Sequence, residues 1–441
     1  MFTRKDLVRL LAPLIVEQIL AVLVGMADVV MVAAVGEAAV SGVSLVDSIS
    51  LLIIQLLAAL ATGGSVVCSQ YLGKKKPEQA CRAAGQLLLV TTAVSVVIAS
   101  AAFIGNRHLL GMIFGSVEEE VMRNAMIYFW ISALSYPFLA VYNSCAALYR
   151  SMGNSKVSMY TSLVMNGLNI AGNAICIFGL HMGVEGVAIP TFLSRAFAAV
   201  LMMYLIQRPA NVIRIHNVKE LRFDGGMIKN ILRVGVPNGM ENAMFQFGKL
   251  FLQSLVSSLG TAAIASYAVA GNLVTFEYLP GNALGLGLIT IVGQCMGAGE
   301  WEQAKKYTKK LVLLNYVLLA FICTLMVAGR GFMVGIYNLS PAATAAAKDM
   351  ILAHSLAMII WPLAFTLPYS LRASFDAPFT MYVSVASMWL FRIGFAYLFV
   401  VVWKMGVLGI WYGMFIDWAF RALAFVIRFR KFGKRKVRGL A

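Results

Sequence analysis

Six acidic residues lie in or at the edges of long apolar runs: Glu17, Asp28, Asp47, Glu241, Glu277 and Asp417. A charge in hydrocarbon is costly, so such residues face a protein interior or a water-filled space and mark ion or substrate pathways. Glu17 and Asp28 share the run "LLAPLIVEQILAVLVGMADVVMVAAVG" from Leu10 to Gly36. Eleven residues apart, they differ by only ~20° around an α-helix and by ~16 Å along it, so they share one face. Pro13, one turn before Glu17, bends a helix or frees a carbonyl. Low dielectric favours the neutral form of a carboxyl group, so such a group takes up or releases a proton as its surroundings change. A proton and a cationic ligand that compete for one negative charge are linked thermodynamically, which is the chemistry of an antiporter. Asp417 and Arg421, at i and i+4, read as a structural ion pair. Lys249, two turns after Glu241, reads as an internal partner for it.

The elements that must hold these acids are membrane helices. The 441 residues are 60% hydrophobic and 12% charged, with a mean hydropathy of +0.81. Apolar runs near 10–34, 40–71, 83–104, 123–149, 157–180, 186–207, 229–259, 262–296, 311–329, 348–371, 379–403 and 406–427 reach or exceed the ~20 residues a spanning helix needs. Of the 36 Lys and Arg, 27 then fall on the side of the two termini and 5 on the other, with Arg195, Lys249, Arg392 and Arg421 inside spans. That asymmetry predicts cytoplasmic termini. The net charge of +17 therefore faces anionic headgroups and excludes a nucleic-acid partner, which needs a clustered basic face. Six scattered cysteines and four separated histidines form no disulfide framework or metal cluster. The N-terminus reads as an amphipathic lead into the first helix and not as a cleaved signal. No GxxxxGK[ST] is present, which excludes an ATP-driven pump within the chain, and "GNALGLGLITIVG" (281–293) reads as small-residue helix packing.

Shifted by 224 residues, the sequence matches itself. Pro13 falls on Pro237, Glu17 on Glu241, Gly36 on Gly260, Gly63 on Gly287, Gln70 on Gln294 and Gly73 on Gly297, while "EQA" 78–80 falls on "EQA" 302–304. An even number of spans per copy predicts two lobes related by a pseudo-twofold along the membrane normal, with a site between them. The expected division is an N-lobe at 1–207, a cytoplasmic linker at 208–228, a C-lobe at 229–428 and a basic cytoplasmic tail at 429–441. The fold class is all-α: a polytopic protein of twelve transmembrane helices in two six-helix lobes.

The order of several motifs on this repeat resembles the MATE family of multidrug and toxic-compound extrusion transporters. The motifs are Pro13 with Asp28, "SQYLGKKKPEQA" (69–80) with its echo "GQCMGAGEWEQA" (293–304), "LYRSMGNSK" (148–156), "LNIAGNAICIFGLHMGVEGVAIPT" (168–191) and "LPYSLRASFDAPF" (367–379). The resemblance implies efflux of amphipathic, mostly cationic compounds by alternating access, driven by inward flow of H⁺ or Na⁺. Asp28 matches the family's first-helix aspartate, and the partners of that site fall on Asn169, Asn173 and Thr191. Many members of the DinF type carry aspartate where this chain has Asn173, which weakens Na⁺ coordination there and favours H⁺, with Na⁺ at Asp28 as the alternative. Glu241 sits about one turn before the C-lobe acid of the NorM type, whose tenth-helix aspartate has no counterpart here.

Coupling is thus expected at Asp28, Glu17, Asn169, Asn173, Thr191 and Glu241. The expected substrate cavity is lined by Tyr136, Tyr142, Phe245, Tyr267, Phe276, Glu277, Tyr278 and Trp361, aromatic groups that attract cations. Interior acids at least as numerous as bases favour cationic cargo over the anionic cargo of a lipid-linked oligosaccharide flippase, the alternative from the wider superfamily. The protein is expected to be no enzyme, to need no cofactor beyond its coupling ion, and to work as a monomer in a bacterial plasma membrane.

Overall fold

The computed structural model describes residues 2–115, 117–215 and 223–432. Residues 216–222 of the expected linker and 433–441 of the expected tail lie outside the described residues, with the bases Lys219, Arg222, Lys434, Arg435, Lys436 and Arg438.

Helices form wherever the apolar runs stand, and polar or restricted residues start them. Thr3 and Asp6 cap each other's backbone amides at the head of α1 (Arg4–Ala33). α2 spans Glu37–Gly73, and α3, Pro77–Phe114, opens on a proline. α4 covers Glu119–Ser151, its first turn carrying the acids that follow Glu118. α5 covers Ser155–Gly179 and ends in a π-type turn from Ile175, and α6 covers Glu185–Ile206. α7 runs Gly225–Ser257, with Asp224 accepting from the Met227 amide at its head. α8 is Thr261–Gly297 and α9 is Trp301–Gly335. The tenth span is broken into α10 (Pro341–Ala357) and α11 (Pro362–Ala373), bent by 64°. α12 covers Ala377–Val402, with π-type stretches at Ser387–Ile393 and Leu398–Val402, and α13 covers Val407–Arg430. All but α7 have the length and apolarity of a span when α10 and α11 count as one. α7 has the length, at 33 residues, but carries Lys229, Arg233, Glu241 and Lys249. The protein is a multi-pass membrane protein with twelve spans.

The repeat is visible in the turns. Gly36 before α2 and Gly260 before α8 both take positive φ, 132° and 91°, a conformation that costs a side-chain-bearing residue energy. Four further pairs of left-handed residues recur about 223 residues apart: Lys75 with Gly299, Gly115 with Asn338, Gly153 with Phe375, and His181 with Lys404.

Internal packing divides the chain between Gly239 and Met240, within α7. In the first unit α4 is central and packs on α2, α3 and α6, while α1 packs on α5. Its core includes Val46, Leu57, Phe129, Ala133 and Tyr136. In the second unit α8 is central and packs on α9, α10 and α11. "GNALGLGLITIVG" lies in α8: Trp361 packs directly against Gly281, and Tyr369 against Gly285, where any side chain would displace the ring. Small residues let membrane helices approach this closely.

Candidate functional site

In the first unit, α1, α5 and α6 join through one polar chain. Asn173 of α5 donates to Asp28 Oδ1 of α1 at 3.0 Å and contacts Asn169 Oδ1 at 3.5 Å. Asn169 donates in turn to Thr191 Oγ1 of α6 at 2.9 Å, and Thr191 donates to the Val187 carbonyl at 2.9 Å. Asn173 and Asn169 are one helical turn apart, so both amides emerge on the α5 face that packs against α1. The Asn173 carbonyl oxygen Oδ1 is buried without a partner. An unsatisfied buried acceptor beside a carboxylate is a place for a proton donor or a cation. Four expected coupling residues, Asp28, Asn169, Asn173 and Thr191, therefore come together.

Glu17 lies on the same face of α1 and accepts from Ser158 of α5 at 3.1 Å, with Arg150 of α4 within electrostatic reach. Two further groups, not expected at the site, stand near Asp28. Asp47 of α2 accepts from Tyr128 at 3.2 Å, and Arg195 of α6 donates to Ser135 at 2.7 Å; both lie within electrostatic reach of Asp28. Sequence inspection marked each as intramembrane but offered no register to bring them together.

In the second unit, Glu241 is held elsewhere than expected. Arg372 Nη2 donates to both its carboxylate oxygens at 2.9 Å, while Arg372 Nε donates to Thr380 Oγ1 at 3.3 Å. Arg372, assigned to a loop by charge counting, is 8% exposed in α11, so Lys249 is not the partner of Glu241. Glu241 repeats Glu17, and Arg372 lies 222 residues after Arg150, the spacing of the left-handed pair Gly153 and Phe375. Each unit thus sets a glutamate of its first helix against an arginine of its fourth span. A cavity of about 170 Å³ adjoins the pair, with Phe245, Asn282, Phe365 and Tyr369 in its wall. Asp417 and Arg421 form the expected ion pair at 2.7 Å.

Among the expected cavity residues, Phe245, Tyr267, Phe276 and Tyr278 keep some surface. Others are packed inside their units. Tyr136 is fully buried and bonded to Ser50 at 2.9 Å, Tyr142 is 6% exposed, and Trp361 is 3% exposed and stacked on Phe365 at 5.1 Å. Glu277 is wholly buried, receiving His354 Nδ1 and Ser355 Oγ at 2.6 Å each, while Tyr278 contacts His354 Nε2 at 2.6 Å. Tyr136, Tyr142, Trp361 and Glu277 are thus core side chains within their own units.

The MatE family model matches residues 13–175 and again 237–398, two stretches that start 224 residues apart. The chain belongs to the MatE family. The Bacillus subtilis transporter YisQ is 26% identical over 95% of this chain and 92% of its own length. A probable multidrug resistance protein NorM of Thermotoga maritima is 24% identical over 95% and 90%. A solved outward-facing multidrug resistance MATE family transporter of the MOP superfamily superposes with a TM-score of 0.91 at 19% identity, covering 97% of this chain and 95% of that one. That likeness carries the fold.

As a MatE protein the chain is not an enzyme, and its two halves differ in charge. Acids dominate the first: Glu17, Asp28 and Asp47 stand with Arg150 and Arg195. Bases outnumber acids in the second, where Lys249, Arg372, Arg392 and Arg421 stand with Glu241, Glu277 and Asp417. These six acids and six bases are equal in number over the two units together, with the acidic excess confined to the first.

Proposed function

We propose that the protein exports amphipathic compounds from the cell by cation-coupled antiport with alternating access, acting as a monomer in a bacterial plasma membrane with both termini in the cytoplasm. Membership of the MatE family and the relatives' names support multidrug export. The observation that carries the coupling is the polar chain from Asp28 through Asn173 and Asn169 to Thr191, with the Asn173 oxygen left unpaired. Asp28 carries the exchangeable charge, and H⁺ is the coupling ion ahead of Na⁺, because Asp28 is the one carboxylate in the chain that runs through Asn173 and Asn169 to Thr191. Cargo enters from the cytoplasm or inner leaflet, and protonation at Asp28 drives its release outside. Glu17, Asp28 and Asp47 support a cationic group on the cargo.

The flippase reading draws on the bases of the second unit. It asks for anionic cargo throughout, which the acidic first unit opposes.

The test is ethidium efflux from cells, and ethidium uptake into inverted vesicles, with the proton and sodium gradients collapsed separately. Loss of transport on collapse of the proton gradient alone is expected. Efflux that persists with both gradients gone would refute antiport.

A further inference from the structure

Three cations of the second unit crowd one phenyl ring. Lys249 Nζ stands 5.1 Å from the centroid of Phe245, the Arg392 guanidinium 5.1 Å and the Arg421 guanidinium 5.6 Å. One acid, Asp417, serves the two arginines. Asp417 accepts from Arg421 Nε at 2.7 Å and from Ser387, and Arg421 also donates to the Ser384 carbonyl at 3.0 Å. Arg392 approaches Asp417 only to 4.0 Å, and its Nε is buried without a partner, on a side chain 6% exposed overall. The charged neighbour within reach of Lys249 is Arg392, another cation. A ring face offsets a buried cation only in part, so the nearly buried Arg392 remains incompletely compensated, while Lys249 beside it keeps exposed surface through which a ligand can reach both.

The location adds a second argument. The 224-residue repeat places the counterpart of Asp28 at Leu252, one helical turn after Lys249. It places the counterpart of Asn169 within a residue of Arg392, in the π-type stretch Ser387–Ile393 of α12. π-type turns gather at functional sites. Where the first unit holds a carboxylate and amides, the second holds Lys249 and Arg392, the latter in only a long ion pair with Asp417 and with its Nε unpartnered, flanked by Phe245 and with Tyr267 close to Arg392.

We infer that Lys249 and Arg392 bind the carboxylate or phosphate group of an amphipathic anion, with Phe245 and Tyr267 against its apolar part. The guanidinium Nε and the ammonium supply the donors, and the incoming negative charge offsets the local excess of positive charge. This deepens the export reading, on which it rests only for the transport of what is bound: the cargo carries an anionic group as well as any cationic one.

The test uses the purified full chain in nanodiscs of phosphatidylcholine, titrated calorimetrically with decyl phosphate and with decyltrimethylammonium. Decyl phosphate is expected to bind. Lys249→Met and Arg392→Gln should each weaken it tenfold or more, and Lys249→Glu should abolish it, while none of them weakens decyltrimethylammonium. Lys249 keeps exposed surface, so its variants remain informative if Arg392→Gln fails to fold. Discs containing phosphatidylglycerol separate the two sources of the anion. A weaker apparent affinity for decyl phosphate in the wild type, and no such change in Lys249→Met, identifies a lipid headgroup as occupant. An unchanged affinity identifies a soluble anion, and either result supports the site. Equal decyl phosphate affinity in wild type and Lys249→Glu would overturn it, as would no binding in phosphatidylcholine discs together with no phosphatidylglycerol retained by the protein. Binding is read at equilibrium without an ion gradient, so failed efflux counts against the export reading alone.

Discussion

Asn173 donates to Asp28 at 3.0 Å from α5 to α1, and the other end of its amide, Oδ1, has no partner. The carboxylate is thus held by a neutral donor, and the space beside it offers an acceptor. An Asp28→Asn variant preserves size and the contact to α5 while removing the exchangeable charge. It is expected to reach wild-type levels in membranes and elute as a folded species, yet to lose drug resistance in a pump-deficient host and at least tenfold in gradient-driven ethidium efflux. Near-normal efflux would remove Asp28 from the mechanism.

Arg372 joins α11 to α7 and α12: its Nη2 donates to both carboxylate oxygens of Glu241 and its Nε to Thr380 Oγ1. Lysine carries the same charge but cannot hold Glu241 and Thr380 at once while standing over the Tyr369 ring. Arg372→Lys should therefore lower the midpoint of thermal unfolding in detergent. A double-mutant cycle with Glu241→Gln and Arg372→Gln should give a coupling of about 0.5–3 kcal/mol. Coupling within error of zero would show that the pair is incidental.

The repeat, the twelve spans and most helix boundaries are legible in the sequence, because apolar runs and turn glycines are local signals. So is the shared face of Glu17 and Asp28, since both reach α5, through Ser158 and Asn173. What escapes is pairing between distant helices. Arg372 stands at a span edge, where charge counting assigns a base to a loop, and its partner is 131 residues away. Lys249 looks like the partner of Glu241 on the same helix, yet two turns separate them by ~12 Å along the axis. The bend between α10 and α11 escapes as well: Pro362 is visible, but the apolar run continues across it and hides the break.

His354 and Glu277, 77 residues apart, meet at 2.6 Å with both side chains fully buried. Ser355 and Tyr278 complete the group, so each member satisfies another. Removing one partner of such a pair leaves the rest of the network unsatisfied. His354→Ala is expected to cost about 3–5 kcal/mol of stability, and His354→Ala with Glu277→Gln less than the sum of the two single changes. Thermal unfolding of the three variants measures this, and strict additivity would show that the pair is not coupled.

Two helical glycines supply a matched comparison. A Cβ on Gly63 of α2 would lie 2.8 Å from the Gly235 amide nitrogen and closer still to the Ile231 carbonyl of α7, and backbone atoms cannot swing aside. A Cβ on Gly25 of α1 would meet nothing within 4 Å. Gly63→Ala must therefore push the two helices apart, at a cost of about 1–3 kcal/mol. Gly25→Ala meets no such obstacle and gains the helix propensity of alanine, up to about 1 kcal/mol. Opposite shifts of the unfolding midpoint are expected for the two variants. A Gly63→Ala protein as stable as the wild type would mean that α2 and α7 do not approach at Gly63 in the membrane.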